Sequence, residues 1–107
     1  PMKNSSKLRE YLLINGYALT RDYTFFDGKF YDVICAQKGG AVRKYDERTL
    51  LFGYDNLNSP TKDFVTFLQA EIGKCREQLS AAGKEIPAVK NRCVLLTEIL
   101  HEAERNL

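Results

Sequence analysis

The stretch YTFFDGKFYDVI, residues 23–34, decides the predicted fold. An Asp-Gly pair, Asp27-Gly28, separates two runs that are rich in aromatic and β-branched residues, and residues of these types favour strands. A short turn between two such runs is typical of a β-hairpin. We therefore predict an antiparallel pair of strands in which Asp27 and Gly28 both take a positive φ.

Two further turns extend this hairpin into a meander. They are predicted at residues 38–40 (KGG) and at residues 46–48 (DER). The segment that follows alternates in polarity, which places Leu50 and Phe52 on one face of a strand. We therefore predict a four-stranded antiparallel sheet over residues 23–54.

A short helix is predicted before the sheet, within residues 2–16. A serine hydroxyl, from Ser5 or Ser6, caps free amide groups at its start, and Gly16 ends it because glycine accepts a left-handed backbone. Three side chains recur at helical spacing and are predicted to form its apolar face: Leu8, Tyr11 and Leu12.

The remaining part, residues 59–107, is predicted to be a helical hairpin. Ser59-Pro60 is typical of a helix start, and Gly83 is typical of a helix end. The second helix begins at Pro87 or at Asn91, and the sequence leaves both starts open. A short link makes the two helices antiparallel neighbours. We predict that they pack on one face of the sheet, which gives an α+β fold.

Length and composition favour one domain over residues 2–107. The chain has 107 residues, of which 44% are apolar, and this is an ordinary size for one domain. Pro1 precedes Met2, and we interpret it as the remnant of a tag. No apolar run approaches the roughly 20 residues that cross a bilayer, and no signal peptide is visible. We therefore expect a cytoplasmic protein that does not engage a membrane.

Residues that carry chemistry are few. The three cysteines are far apart and form no zinc-binding spacing, and His101 is the single histidine. The glycines of residues 38–40 lack the spacing of a phosphate-binding loop. We therefore predict no catalytic set, no metal site and no cofactor, although the sequence leaves an enzyme open.

The order of the first half resembles the start of the restriction-endonuclease-like fold. After a helix and a hairpin come residues 31–34 (YDVI) and then residues 42–44 (VRK). That family holds a metal ion with an aspartate and, on the next strand, Glu-x-Lys, which the resemblance places at Asp32 and Lys44. Val42 stands at the glutamate position, and two carboxylates are needed to hold the cation. The resemblance therefore implies a degenerate, DNA-binding relative.

The predicted function is a small non-enzymatic protein-binding module, such as an inhibitor, immunity or accessory protein of a bacterium or phage. Tyrosine is enriched at interfaces, and much of the tyrosine lies in the predicted sheet. The expected partner is another protein. The residues predicted to bind it are Tyr31, Arg43, Tyr45 and Tyr54.

The alternative function is nucleic-acid binding through a basic, tyrosine-containing sheet face. Cations interleaved with aromatic rings bind phosphates and stack on bases, although a net charge of +2 alone is too small to favour nucleic acid. A second apolar edge on the long helices also leaves a homodimer open. The residues predicted to bind nucleic acid are Lys38, Arg43, Lys44 and Arg48.

Overall fold

The computed structural model describes residues 5–107, which form two strands and five helices. Pro1 and the first residues of the predicted N-terminal helix lie outside the described residues. The chain divides into two compact units, one up to Pro60 and the other from Thr61, and the single domain stays a prediction. In chain order the elements are α1 (Ser5–Ile14), β1 (Tyr17–Phe26), β2 (Phe30–Lys38), α2 (Glu47–Phe52), α3 (Tyr54–Asn58), α4 (Lys62–Ala82) and α5 (Pro87–Arg105).

An antiparallel hairpin of β1 and β2 is the sheet of the first unit. Phe26 pairs with Phe30 at the turn, which confirms the hairpin predicted there. Gly28 has a φ of 73° and no non-glycine residue that the structure describes has a positive φ, so the prediction for Asp27 is wrong. The reason is that the turn spans residues 27–29, and a loop of this length needs one left-handed residue rather than two.

The predicted four-stranded meander is wrong. The sheet has two strands among residues 5–107, and the segment between β2 and α2 forms no strand. Residues 46–48 are not a turn between strands, because Asp46 is the N-cap of α2. Its carboxylate accepts hydrogen bonds from the backbone N–H and the hydroxyl of Thr49, and this hydroxyl also accepts from the Asp46 N–H. This capping box makes the apolar run that follows helical.

Gly53 joins α2 to α3 and lies directly against β1. Its φ is 96°. A Cβ atom built on this residue would lie 2.8 Å from Oδ1 of Asp22 and 3.1 Å from Nη2 of Arg9. Only glycine therefore allows the two short helices to approach the strand this closely.

The inner face of α1 is not the predicted one. Arg9 is buried, whereas Leu8 and Tyr11 are 47% and 62% exposed, so the predicted apolar face is wrong. The helix contacts β1 and α2, and α3 also contacts β1. Arg9 points inward because its charge has an oppositely charged partner on β1, as described below.

The second unit is a pair of long helices. α4 begins after Thr61, whose hydroxyl accepts from the Phe64 N–H, so the predicted start at Ser59-Pro60 is wrong by two residues. Gly83 ends α4 with a φ of 65°, as predicted, and α5 begins at Pro87, which decides between the two starts left open. Packing of the pair on the sheet stays a prediction. The buried apolar residues of the unit are Phe64, Val65, Leu68, Ile72, Cys75, Leu96, Ile99 and Ala103.

Residues 5–107 contain no helix that could span a membrane. None of the described helices combines the necessary length with sufficient apolar character.

Replacing Gly53 with alanine tests the close approach of the α2–α3 junction to β1. We expect Gly83→Ala, where nothing lies within 4 Å of the new Cβ, to lower the free energy of unfolding by about 1 kcal/mol. Gly53→Ala adds a collision with Asp22 and should cost at least about 2 kcal/mol more. Urea unfolding of both variants measures the difference. Equal losses for the two variants would show that the junction has room for a side chain.

Candidate functional site

A buried ion pair lies at the centre of the first unit. Nε of Arg9 donates to both carboxylate oxygens of Asp22, at 3.0 and 2.9 Å. The side chains are 1% and 0% exposed. Because both charges have left water, each depends on the other and on further hydrogen bonds.

The Arg9 guanidinium extends this pair to two more elements. Nη1 donates to the backbone oxygen of Leu50 at 2.8 Å and, less closely, to that of Leu51 at 3.3 Å. These carbonyls lie in the last turn of α2, where no helical N–H is available to them. Nη2 also lies 3.7 Å from Oδ2 of Asp32, on β2. One side chain from α1 thereby contacts both strands and α2.

Asp22 receives two further donors besides Arg9. The hydroxyl of Tyr45 donates to its Oδ2 at 2.8 Å, and the backbone N–H of Tyr54 donates to the same atom at 3.3 Å. Burial raises the pKa of the Asp22 carboxyl, while Arg9 and these hydrogen bonds oppose that rise. Burial and the Asp22 carboxylate both raise the pKa of the Tyr45 hydroxyl.

Side chains of α3 bind the outer edge of β1. Oδ2 of Asp55 accepts from the backbone N–H of Asp22 at 2.8 Å, and Oδ1 of Asn56 accepts from that of Thr24 at 3.0 Å. The Asn56 amide group then donates to the Thr24 hydroxyl and to the Phe52 carbonyl, at 2.9 and 2.8 Å. These backbone groups of β1 are therefore satisfied by side chains rather than by another strand.

A half-buried group of Arg43, Tyr45 and Tyr54 covers this network. Nη1 of Arg43 donates to Asp55 at 3.0 Å, and its Nη2 donates to the Thr20 carbonyl at 2.9 Å. The guanidinium carbon lies 4.6 Å from the centre of the Tyr54 ring, a cation–π contact, and the rings of Tyr45 and Tyr54 are 5.9 Å apart.

The structure brings together three of the four residues predicted to bind protein. Arg43, Tyr45 and Tyr54 form the group just described, whereas Tyr31 lies on β2. Its ring stacks on Phe25 with centres 5.4 Å apart. The binding role of these residues stays a prediction, although contacts within the chain already engage much of Arg43 and Tyr45.

The residues predicted to bind nucleic acid do not share a sheet face. Lys38 is the last residue of β2, Arg43 and Lys44 lie in the segment that forms no strand, and Arg48 lies in α2. Arg43 is also committed to Asp55 and to the Thr20 carbonyl. Their role in binding stays a prediction. The basic sheet face predicted to carry them requires a four-stranded meander, and the described residues do not form one.

The residues behind the restriction-endonuclease resemblance are separated in the same way. Asp32 accepts from the Thr24 hydroxyl at 2.7 Å and belongs to the buried network. Lys44 is exposed and lies outside any strand, so the strand that should carry it next to Asp32 is missing. Within residues 5–107 no group of three or more histidine, cysteine, aspartate or glutamate residues is placed to hold a metal ion.

This network of hydrogen bonds around Arg9 and Asp22 connects α1, α2 and α3 to β1. In the described part of the chain, no buried side-chain nitrogen or oxygen lacks a hydrogen-bond partner. Its central members were not predicted from the sequence; they are Arg9, Asp22, Asp55 and Asn56. The available signal was the run Gly-Tyr-Asp-Asn at residues 53–56, which is typical of a break between elements.

Comparison with known proteins gives matches to solved structures only. No protein-family model and no curated protein matches the sequence. A Streptococcus pneumoniae protein proposed to be a tRNA (m1A22) methyltransferase, solved in complex with S-adenosyl-L-methionine, matches 94% of this chain and 45% of its own at 20% identity, with a TM-score of 0.78. An uncharacterized protein from Listeria monocytogenes serotype 4b matches 98% and 47% at 15% identity, with a TM-score of 0.67. The chain thus spans less than half of each.

These matches show the fold, and they correct the predicted function. The fold is shared with parts of two larger proteins, one of them solved with bound S-adenosyl-L-methionine, and it is not the four-stranded fold on which the predicted inhibitor, immunity or accessory module was based. The prediction of a non-enzymatic protein-binding module is therefore wrong. Its alternative, a degenerate restriction-endonuclease-like domain with a basic sheet face, is overturned by the same finding.

Removing the guanidinium tests whether the ion pair holds the first unit together. Arg9→Ala leaves the Asp22 carboxylate buried without its cation, and we expect the free energy of unfolding to fall by about 3–5 kcal/mol. The matched control is Arg92→Ala, which breaks an exposed pair with Glu71 and should cost less than about 1 kcal/mol. Chemical unfolding measures both. A loss for Arg9→Ala as small as that of the control would exclude the proposed role.

The contact between Tyr45 and Asp22 should make the free energy of unfolding fall at alkaline pH. The pKa of Tyr45 is raised in the folded chain, so above pH 10 the unfolded chain releases this proton while the folded chain keeps it. The unfolded state then binds fewer protons, and the free energy of unfolding falls as the pH rises, by at most about 1.4 kcal/mol per pH unit.

Tyr45→Phe should make this dependence shallower. Urea unfolding between pH 8 and pH 11 compares it with the unmodified chain and with Tyr11→Phe, a change at an exposed ring. We expect the alkaline loss to persist in Tyr11→Phe and to become shallower in Tyr45→Phe. Identical pH profiles for all three proteins would contradict the assignment to Tyr45.

Proposed function

We propose that this chain forms one part of an S-adenosylmethionine-dependent tRNA methyltransferase that produces 1-methyladenosine at position 22. The observation that carries the proposal is the fold match, which extends over nearly the whole chain. The cofactor of such an enzyme is S-adenosylmethionine, its nucleic-acid partner is tRNA, and its compartment is the cytoplasm.

The surface of α1 supports a role within a larger protein. Leu8, Tyr11 and Ile14 are 47%, 62% and 75% exposed, and their spacing of three residues places them along one side of the helix. An isolated small domain seldom exposes a row of large apolar side chains, and such a row is typical of a surface that packs against further protein.

The buried network supports a role as a rigid scaffold within that enzyme. Its central charges, on Arg9 and Asp22, are inaccessible and hydrogen-bonded, so they hold elements in place rather than contact a substrate. In the proposed enzyme, this part supports the remainder of the methyltransferase, and transfer of the methyl group requires both parts.

Deletion of the gene that encodes the chain tests this function. We expect tRNA from the deletion strain to lack 1-methyladenosine at position 22, as measured by mass spectrometry of tRNA digests. A plasmid copy should restore the modification, as should a copy with the surface change Arg92→Ala. A copy with Arg9→Ala should fail, since it removes the central ion pair. Equal methylation of tRNA with and without the gene would contradict the proposal.

A further inference from the structure

The two outer edges of the hairpin differ in their hydrogen bonding. On β1, the outward backbone groups of Thr20, Asp22 and Thr24 are bound by side chains of Arg43, Asp55 and Asn56. Such side-chain cover is one way in which proteins prevent an edge strand from pairing with another chain.

The register of the hairpin defines which groups point outward on β2. Asp22 pairs with Ile34, and Thr24 pairs with Asp32. Because the amides of Asp22 and Thr24 point away from β2, these are the non-hydrogen-bonded pairs of the ladder. The N–H and C=O groups of Asp32 and Ile34 therefore point away from β1, and those of Ala36 follow by alternation along the strand.

Within residues 5–107, the outer edge of β2 lacks the side-chain hydrogen bonds that cover β1. No side chain among residues 5–107 is bonded to the outward groups of Ile34 or Ala36. The strand contains no proline, and its one lysine, Lys38, is the last residue. Neither of these common means of blocking an edge therefore operates along the middle of β2.

The composition of β2 is that of an interior strand. Residues 33–36 (VICA) are continuously apolar, which is typical of a strand that is flanked by others and covered on both faces. Cys35 and Ala36 are nevertheless exposed in this structure.

We propose that the outer edge of β2 pairs with a strand from the portion of the methyltransferase that lies beyond the matched part. This inference rests on the proposed function and adds the surface through which the two parts join. We assign the pairing strand to this portion because more than half of the matched S. pneumoniae protein lies outside the match. The contact is backbone pairing along Asp32, Ile34 and Ala36.

Hydrogen exchange in a chimera tests this pairing. In the chimera, the whole of this chain replaces the matched part of the S. pneumoniae protein, so the two parts are covalently joined and meet at high effective concentration. We expect the amides of Ile34 and Ala36 to exchange about 100-fold more slowly in the chimera than in the isolated chain. The amide of Val33, which points toward β1, serves as the internal reference.

A proline substitution provides an independent measurement. Ala36→Pro removes one outward N–H, and Ala36→Thr is the matched control that keeps it. In the isolated chain the two variants should unfold at similar temperatures. In the chimera, Ala36→Pro should unfold about 5 °C below Ala36→Thr, because a buried carbonyl of the partner strand loses its donor.

Two results would overturn the proposal. One is exchange at Ile34 and Ala36 that is as fast in the chimera as in the isolated chain. The other is protection that grows with the concentration of the isolated chain together with a dimer mass, since the occupant would then be a second copy.

Methylation of tRNA by the chimera separates this inference from the proposed function. A chimera that methylates tRNA with an unprotected Ile34 amide contradicts only the pairing at the edge. A chimera in which this amide is protected, but which transfers no methyl group to tRNA, contradicts only the function.

Discussion

The ion pair between Arg9 and Asp22 is the interaction on which the first unit depends. α2 and α3 have six and five residues, which is far below the length at which a helix is stable by itself in water. Tertiary contacts must therefore hold them, and the Arg9 guanidinium supplies two by binding carbonyls at the end of α2. The Asp22 carboxylate supplies another, since it accepts from the first amide of α3.

Burying an ion pair costs desolvation free energy, and the groups around Arg9 and Asp22 explain how this cost is offset. Removing both charges from water costs several kcal/mol per ion, and the mutual attraction offsets this only when the remaining hydrogen-bonding groups are also satisfied. The Tyr45 hydroxyl and the Tyr54 N–H donate the further hydrogen bonds that the Asp22 carboxylate accepts. Gly53 allows this approach because it has no Cβ. The arrangement therefore specifies one register of α3 against β1, which apolar packing alone would define less sharply.

Sequence patterns predict the elements whose periodicity is long or whose turn chemistry is strong. The hairpin at Asp27-Gly28 and the two long helices are of this kind. Residues 47–52 are not, because six residues are too few to separate a helical period from an alternating one. The inward position of Arg9 had no signal at all, since an arginine on a short helix is ordinarily solvated. Likewise, the side-chain types of Arg43, Tyr45 and Tyr54 were enough to select these residues from the sequence. The positions of the Asp22 and Asp55 carboxylates beneath them could not be predicted, because they depend on contacts between distant segments.

The network and the open strand edge are two consequences of the same arrangement. Because Asp22 anchors the start of α3, the side chains of Asp55 and Asn56 lie where they bind the outward amides of β1. That placement covers the outer edge of β1. The sheet can then be extended by a further strand at the outer edge of β2, along its apolar run. Asp22, Asp55 and Asn56, which look most like a catalytic cluster, thus determine which edge of the hairpin is covered. Because they cover one edge and not the other, they favour β2 as the edge for the proposed pairing.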